Sequence, residues 1–301
     1  MQTPRIGPYL IAAMPGLFVL MWSTGFIGAR LGLPYAEPMT FLALRFLLVV
    51  GIFVLLIAAV RVPLPSAGAC GHAAVTGVLL HSGYLGAVFA AIDLGMPAAL
   101  AALIVGLQPL LTGAVVGPLL GERVLPRQWA GLVLGLAGVA LVLSEKLAVG
   151  GGGLFAGFGL DAVGLAVVGL CAITAGTLYQ KGFGGGLDWR WAALAQYGAA
   201  LAVTGTLALA IETNRIVWHR DFVIALVWLA VVLSIGAVGL LMLLIRRGAA
   251  ARVAGLFYLV PPCTAVVAWI LFDERFGWTA AAGMAIAVSG VALVVARPGY
   301  R

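Results

Sequence analysis

The chain has 301 residues, of which 63% are hydrophobic and only 9% are charged. A soluble globular protein is about 45–50% apolar and about 25% charged, so this composition excludes a soluble enzyme, a disordered chain and a nucleic-acid-binding protein. The formal net charge of +7 then reads as a signal of membrane orientation rather than as a patch for a polyanionic partner.

A membrane-spanning helix needs about 20 mostly apolar residues, and ten such segments follow one another. The first, Leu10–Ala29, carries Trp22, Ser23 and Thr24. Its apolar run continues through Phe26 without a small-residue cleavage site, so it is expected to be a retained helix rather than a signal peptide. The second, Met39–Val60, has Arg45 about two turns from its start. The third, Ala73–Ile92, carries His81, Ser82 and Tyr84, and the fourth, Pro97–Leu120, carries Gln108 and Pro109. The fifth, Pro126–Leu143, has small residues between Gly131 and Gly138. A longer connection, Ser144–Gly159, contains the glycine run Gly150–Gly153. The sixth, Leu160–Tyr179, offers Thr174, Thr177 and Tyr179, with Gln180 at its end. Trp191–Ile211 is the seventh; Phe222–Ile245, the eighth, offers Ser234 and Met242. The ninth, Val253–Phe272, carries Tyr258 and Pro261, and the tenth, Trp278–Ala296, has small residues between Gly283 and Gly290. The loops leave no room for a separate soluble domain, and ten-residue alternation of the kind a β-barrel needs is absent.

Lys and Arg distribute unevenly over these loops. With the N-terminus inside, eleven face the cytoplasm: Arg5, Arg61, Arg123, Arg127, Lys181, Arg190, Arg246, Arg247, Arg252, Arg297 and Arg301. Five face outward: Arg30, Lys146, Arg215, Arg220 and Arg275. Arg45, inside a span, completes the 17. This bias puts both termini in the cytoplasm.

The chain also repeats itself. Shifted by 152 residues, Pro109 falls on Pro261, Thr112 on Thr264, Glu122-Arg123 on Glu274-Arg275, and Gly138–Val142 on Gly290–Val294; 17 of 50 ungapped columns are identical. A shift of 151 aligns Gly25 with Gly176. The expected fold is therefore all-α integral membrane, with residues 1–149 and 150–301 as two five-helix repeats. Because five is odd, the second repeat is inverted, and inverted repeats are an architecture of secondary transporters that hold substrate between the halves.

Trp22–Arg30 (WSTGFIGAR), Pro38–Phe46 (PMTFLALRF), Leu107-Gln-Pro109 with Gly121-Glu-Arg123, and Pro261 with Asp273-Glu-Arg275 resemble the drug/metabolite transporter superfamily in its ten-helix EamA-type form. The resemblance covers nearly the whole chain. It implies export of small metabolites, amino acids or drugs from a bacterial-type inner membrane, with aromatic amino-acid exporters as one subgroup for comparison. It also implies a central cavity lined by helices 1, 3, 4, 6, 8 and 9.

Polar side chains inside spans are costly and tend to face the bundle interior or a cavity. Trp22, Thr24, His81, Tyr84, Gln108, Thr177, Tyr179, Ser234 and Tyr258 are thus the candidate substrate-binding residues, although a Ser or Thr can equally bond back to its own helix. Pro109 and Pro261 each delete a helix hydrogen bond and kink the chain, either as hinges or as fixed shapes. Arg45 must snorkel or find partners; structural anchoring and binding of a substrate carboxylate both stay open. No Asp or Glu lies deep in a span, so facilitative export is expected, with His81 as the one candidate for proton coupling. Cys70, Cys171 and Cys263 are far apart, and no metal, cofactor or disulfide is expected. An enzyme would need a clustered catalytic constellation, which the spans lack. The expected function is export of small amphipathic metabolites, amino acids foremost, by alternating access; drug efflux, a channel and a lipid scramblase are the alternatives.

Overall fold

A computed structural model describes residues 8–112, 115, 126–148, 157–244 and 256–295, and these are predominantly helical. Helix α1 is Pro8–Gly32, followed by a single 3-10 turn at Leu33–Tyr35, and α2 is Pro38–Val60. Helix α3 covers Ala67–Asp93, with a π-helical stretch at Val78–Gly83. Then come α4 (Ala98–Thr112), α5 (Pro126–Ala148), α6 (Leu160–Phe183) and α7 (Trp189–Ile211). Helix α8 joins Arg220–Val227, a π-helical stretch at Trp228–Ala237, and Val238–Leu244. Helix α9 opens with a 3-10 turn, Phe257–Leu259, and continues as Val260–Phe272; α10 is Trp278–Val295. Within α1, α2, α3, α6, α7 and α8 lie 6 stretches long and apolar enough to cross a membrane, and the described apolar parts of α4, α5, α9 and α10 are shorter. Glu122-Arg123 and Gly150–Gly153 lie outside the described residues.

Helix starts follow local chemistry more closely than hydropathy does. Helix α3 begins six residues before the apolar run because Ser66 caps it, its Oγ accepting the Ala69 N–H at 3.3 Å. Asp188 does the same for α7, accepting the Arg190 N–H at 2.9 Å, and it also binds the Arg190 side chain. Those bonds hold the Asp188 carboxyl down at about 2. Such caps satisfy N–H groups that a helix start leaves free.

In lipid, helices associate through close packing of small residues more than through burial of apolar area. The α5–α10 pair shows this. A Cβ on Gly138 would stand 2.5 Å from the Gly283 carbonyl oxygen, and one on Gly290 would stand 2.6 Å from that of Gly131. Along α1 and α8, Gly25 meets Leu233 and Gly28 meets Leu229; along α3 and α6, Leu80 meets Gly176 and Ala172 meets Gly83. Phe46 and Phe53 of α2 face Tyr197 and Trp189 of α7. In each pair one number rises as the other falls, so the helices run antiparallel. Exchanging α1 with α6, α2 with α7, α3 with α8, α4 with α9 and α5 with α10 maps this set of packed pairs onto itself. Gly25 and Gly176, aligned in the sequence, make equivalent contacts.

The segment before α2 and the α7–α8 connection are tied together. Ala36 and Ile216 form an antiparallel bridge, and Val217 N–H donates to the Tyr35 carbonyl at 2.8 Å. The Glu212 carboxylate accepts the N–H groups of Met39 and Thr40, each at 2.7 Å, and the Thr40 hydroxyl at 2.8 Å. In return Glu37 accepts Thr213 N–H and Oγ1, both at 2.8 Å, and Asn214 N–H at 3.1 Å. Helix α2 begins with Pro38 and has no side-chain cap from its own N-cap residue, Glu37, so Glu212 supplies the missing acceptor across the molecule. Glu274 has the comparable place beside α4: its buried carboxyl lies against the backbone of Ala98 and Ala99 and 3.9 Å from Arg30 Nε.

Candidate functional site

Helix α4 is interrupted and the described part of α9 opens on an irregular turn, each just upstream of a proline. The proline ring displaces the carbonyl of residue i−4, which is Val105 for Pro109 and Phe257 for Pro261. Continuous α-helix stops at Val105, and Gly106–Leu107 form a turn before the helix resumes. The counterpart in α9 is the 3-10 turn Phe257–Leu259, with Pro261 in the first turn after it. In α4 the expected mid-helix kink is thus a break placed upstream of Pro109, and in α9 the irregular turn likewise precedes Pro261. The two breaks meet: a Cβ on Gly106 would stand 3.1 Å from Pro261 Cγ. Leu103, Gly106 and Leu107, with Phe257, Pro261, Ala287 and Val288, line a small apolar cavity at this crossing.

A polar cluster lies between α2, α3, α7 and α8. Arg45 is only 3% exposed and does not snorkel. Its Nη2 and Nε donate to Ser234 Oγ at 3.1 and 3.4 Å, and Ser234 Oγ donates to the Leu229 carbonyl at 3.0 Å. Tyr84 and Tyr197 lie near the guanidinium, which stands 5.9 Å from the Phe46 ring centre. The His81 ring stacks on Tyr197 with centroids 4.2 Å apart. Arg45 Nη1 and His81 Nε2 are both buried without a hydrogen-bond partner. His81 and Ser234 each sit in a π-helical stretch, a form that occurs mostly as single-turn insertions, frequently at functional sites.

The other expected site residues form pairs that bridge helices. Thr24 accepts the Trp228 Nε1–H at 2.8 Å, joining α1 to α8, and donates to the Met21 carbonyl at 2.6 Å. Gln108 donates to Thr177 at 2.9 Å, joining α4 to α6. The Tyr179 hydroxyl lies 2.8 Å from His72 Nδ1, joining α6 to α3. Trp22 packs with Phe18 and Phe257 at centroid distances of 5.4 and 5.1 Å. Tyr258 falls in the 3-10 turn of α9, and its side chain lies outside the described residues. The structure thus brings His81, Tyr84 and Ser234 together and distributes Trp22, Thr24, Gln108, Thr177 and Tyr179 over other helix pairs. Sequence reasoning missed Tyr197, His72 and Trp228. Tyr197 carried a usable signal, since, like Tyr84, it lies inside a span rather than in the interfacial belt.

Among the described residues, six helices long and apolar enough to cross a membrane, with shorter apolar helices packed among them, fit a multi-pass membrane protein. The chain belongs to the EamA-like transporter family, whose sequence model matches residues 10–144 and 162–296. It is a multi-pass protein of a bacterial-type inner membrane. It is 28% identical over 305 residues to the uncharacterized transporter YvbV of Bacillus subtilis, covering 97% of this chain and 93% of that one. Probable amino-acid metabolite efflux pumps of Salmonella typhimurium and Escherichia coli are 32% and 30% identical over 131 residues, which is 44% of this chain and 42% of each pump. A crystal structure at 21% identity shares the fold, with a TM-score of 0.63 over 96% of this chain and 98% of that one.

Proposed function

We propose that the chain is a ten-span exporter of small amphipathic metabolites, amino acids foremost, with both termini in the cytoplasm. Residues 1–149 and 150–301 are its two inverted halves, and transport proceeds by alternating access between them. The observation that carries this reading is the crossing of the broken helix α4 with the irregular start of α9 at prolines aligned by the sequence repeat. Discontinuous helices near the midplane are where transporters of inverted-repeat design hold their cargo. The antiparallel packing of α2 on α7 and of α5 on α10 supports inversion, since each pair joins equivalent helices of the two halves. The amino-acid assignment draws on the names of the two efflux pumps. Trp22, Thr24, His81, Tyr84, Gln108, Thr177, Tyr179 and Ser234 line the route in this reading.

Purified protein reconstituted in liposomes loaded with labelled amino acids is expected to give saturable efflux. It is expected to persist when the proton gradient is collapsed, because no carboxyl lies deep in the described spans. No saturable efflux of any amino acid overturns the assignment, and non-saturable flux points instead to a channel. In the same assay Pro109→Ala combined with Pro261→Ala is expected to lower turnover about tenfold if the breaks are hinges; unchanged turnover makes them fixed shapes.

A further inference from the structure

We propose that Arg45, held in place by Ser234 and flanked by His81, binds a carboxylate carried by the transported substrate. The inference rests on the transporter reading above and specifies the chemistry of its cargo. Arg45 is a buried cation in a span, and among the described residues its side chain pairs with no carboxylate. Ser234 takes two of its nitrogens and leaves Nη1 with no acceptor. His81 Nε2, in the same cluster, is also without a partner. A buried guanidinium with no counter-ion and one nitrogen left without an acceptor is unfavourable, and it persists where something else completes it. A carboxylate is the matching group, with two oxygens for a planar fork of N–H donors.

The surroundings select what the carboxylate is attached to. Phe46, His81 and Tyr197 form a contiguous run of rings, 5.7 to 5.9 Å from Phe46 to each of the other two, with Tyr84 beside Arg45. Ring faces favour an apolar or aromatic side chain. The groups that hold the site also belong to helices able to change shape. Ser234 and His81 occupy the π-helical stretches of α8 and α3, which exchange with one another under the pairing of the two halves. A single rearrangement in either helix therefore alters the cluster, and alternating access needs such movement.

The test uses the full chain purified in detergent and follows thermal unfolding through tryptophan fluorescence. Phenylacetate is expected to raise the midpoint saturably, whereas phenylacetamide and chloride at equal concentration leave it unchanged. Arg45→Lys keeps the charge but loses the fork and is expected to weaken phenylacetate about tenfold; Ser234→Ala, which leaves Arg45 intact, is expected to weaken it several-fold. The proposal is overturned if phenylacetate does not stabilise the wild type, if phenylacetamide or chloride does so equally, or if both variants bind as the wild type does. Running the amino-acid efflux assay on the same preparations separates the two readings. Binding through Arg45 without amino-acid export removes the exporter assignment and keeps the site. Export with Arg45-independent binding removes the site alone.

Discussion

Gly283→Leu is expected to destabilise the folded protein by about 3 kcal/mol. A Cβ at this position would stand 2.7 Å from the Gly138 carbonyl oxygen, 3.0 Å from the Val142 nitrogen and 2.8 Å from Val142 Cγ2. Two of these three atoms are backbone, so no rotamer change relieves the overlap and α5 must separate from α10. Overpacking of a closely packed site costs about 1–3 kcal/mol and occasionally more; an obstruction made of backbone belongs at the upper end, about 3 kcal/mol. Gly138→Leu is expected to act alike, because the two glycines face one another. The double variant is expected to cost much less than the sum, since helices already parted gain little from a second wedge. Gly164, on α6, is the control: a Cβ there meets nothing within 4 Å, and Gly164→Leu is expected to stay within about 0.5 kcal/mol of wild type. Thermal unfolding in detergent, with the monodisperse fraction after solubilisation, measures all four. A Gly283→Leu protein as stable as the Gly164 control removes close glycine packing as the basis of the α5–α10 pair.

Much of this architecture is legible in the sequence because lipid enforces it. Spans must be continuous and apolar, so a hydropathy reading finds segments that correspond to α1 through α10. The repeat is legible because Pro109, Pro261, Gly138 and Gly290 cannot be exchanged freely for Leu or Ala, and they survive as fixed points against a background of interchangeable apolar residues. What was illegible depends on distance and hydrogen-bond register. Hydropathy does not record whether a carbonyl pairs four or five residues on, so the π-helical stretches around His81 and Ser234 gave no signal. Arg45 was visible as an anomaly, but its partner lies on α8, 189 residues away, and geometry alone shows that it turns inward instead of reaching for the membrane surface. The irregular turns lie upstream of Pro109 and Pro261, where the displaced carbonyls are, and hydropathy does not record that offset.

The two ends of the helix bundle differ in how they are fastened, and the difference concerns which side of the protein opens. The ties through Glu37 and Glu212 join the α1–α2 and α7–α8 connections. Exchange of the halves maps these onto the α6–α7 and α2–α3 connections, residues 184–188 and 61–66. Among the described residues no hydrogen bond joins that second pair of segments, and most of their residues are exposed. In the proposed topology the fastened side is the outer one.

Glu212→Ala is therefore expected to affect both stability and access. It removes the acceptor of three short hydrogen bonds, two of them from the otherwise uncapped N-terminus of α2. A hydrogen bond to a charged group contributes about 1.5–3 kcal/mol, and the favourable interaction of a carboxylate with a helix N-terminus is lost with it. Water at the membrane surface can replace part of this, which brings the expected net cost to about 2 kcal/mol. Glu212→Gln keeps one acceptor oxygen and is expected to lose roughly half as much. The access effect is read at Ala36, which is 5% exposed in the bridge to Ile216. With Cys70, Cys171 and Cys263 replaced by alanine, Ala36→Cys is expected to react slowly with an impermeant maleimide while Glu212 is present. Adding Glu212→Ala is expected to raise that rate about tenfold, because separation of the two connections exposes the bridge. A loss of stability without faster labelling assigns Glu212 to capping alone; faster labelling with stability retained identifies it as the latch of the outer side.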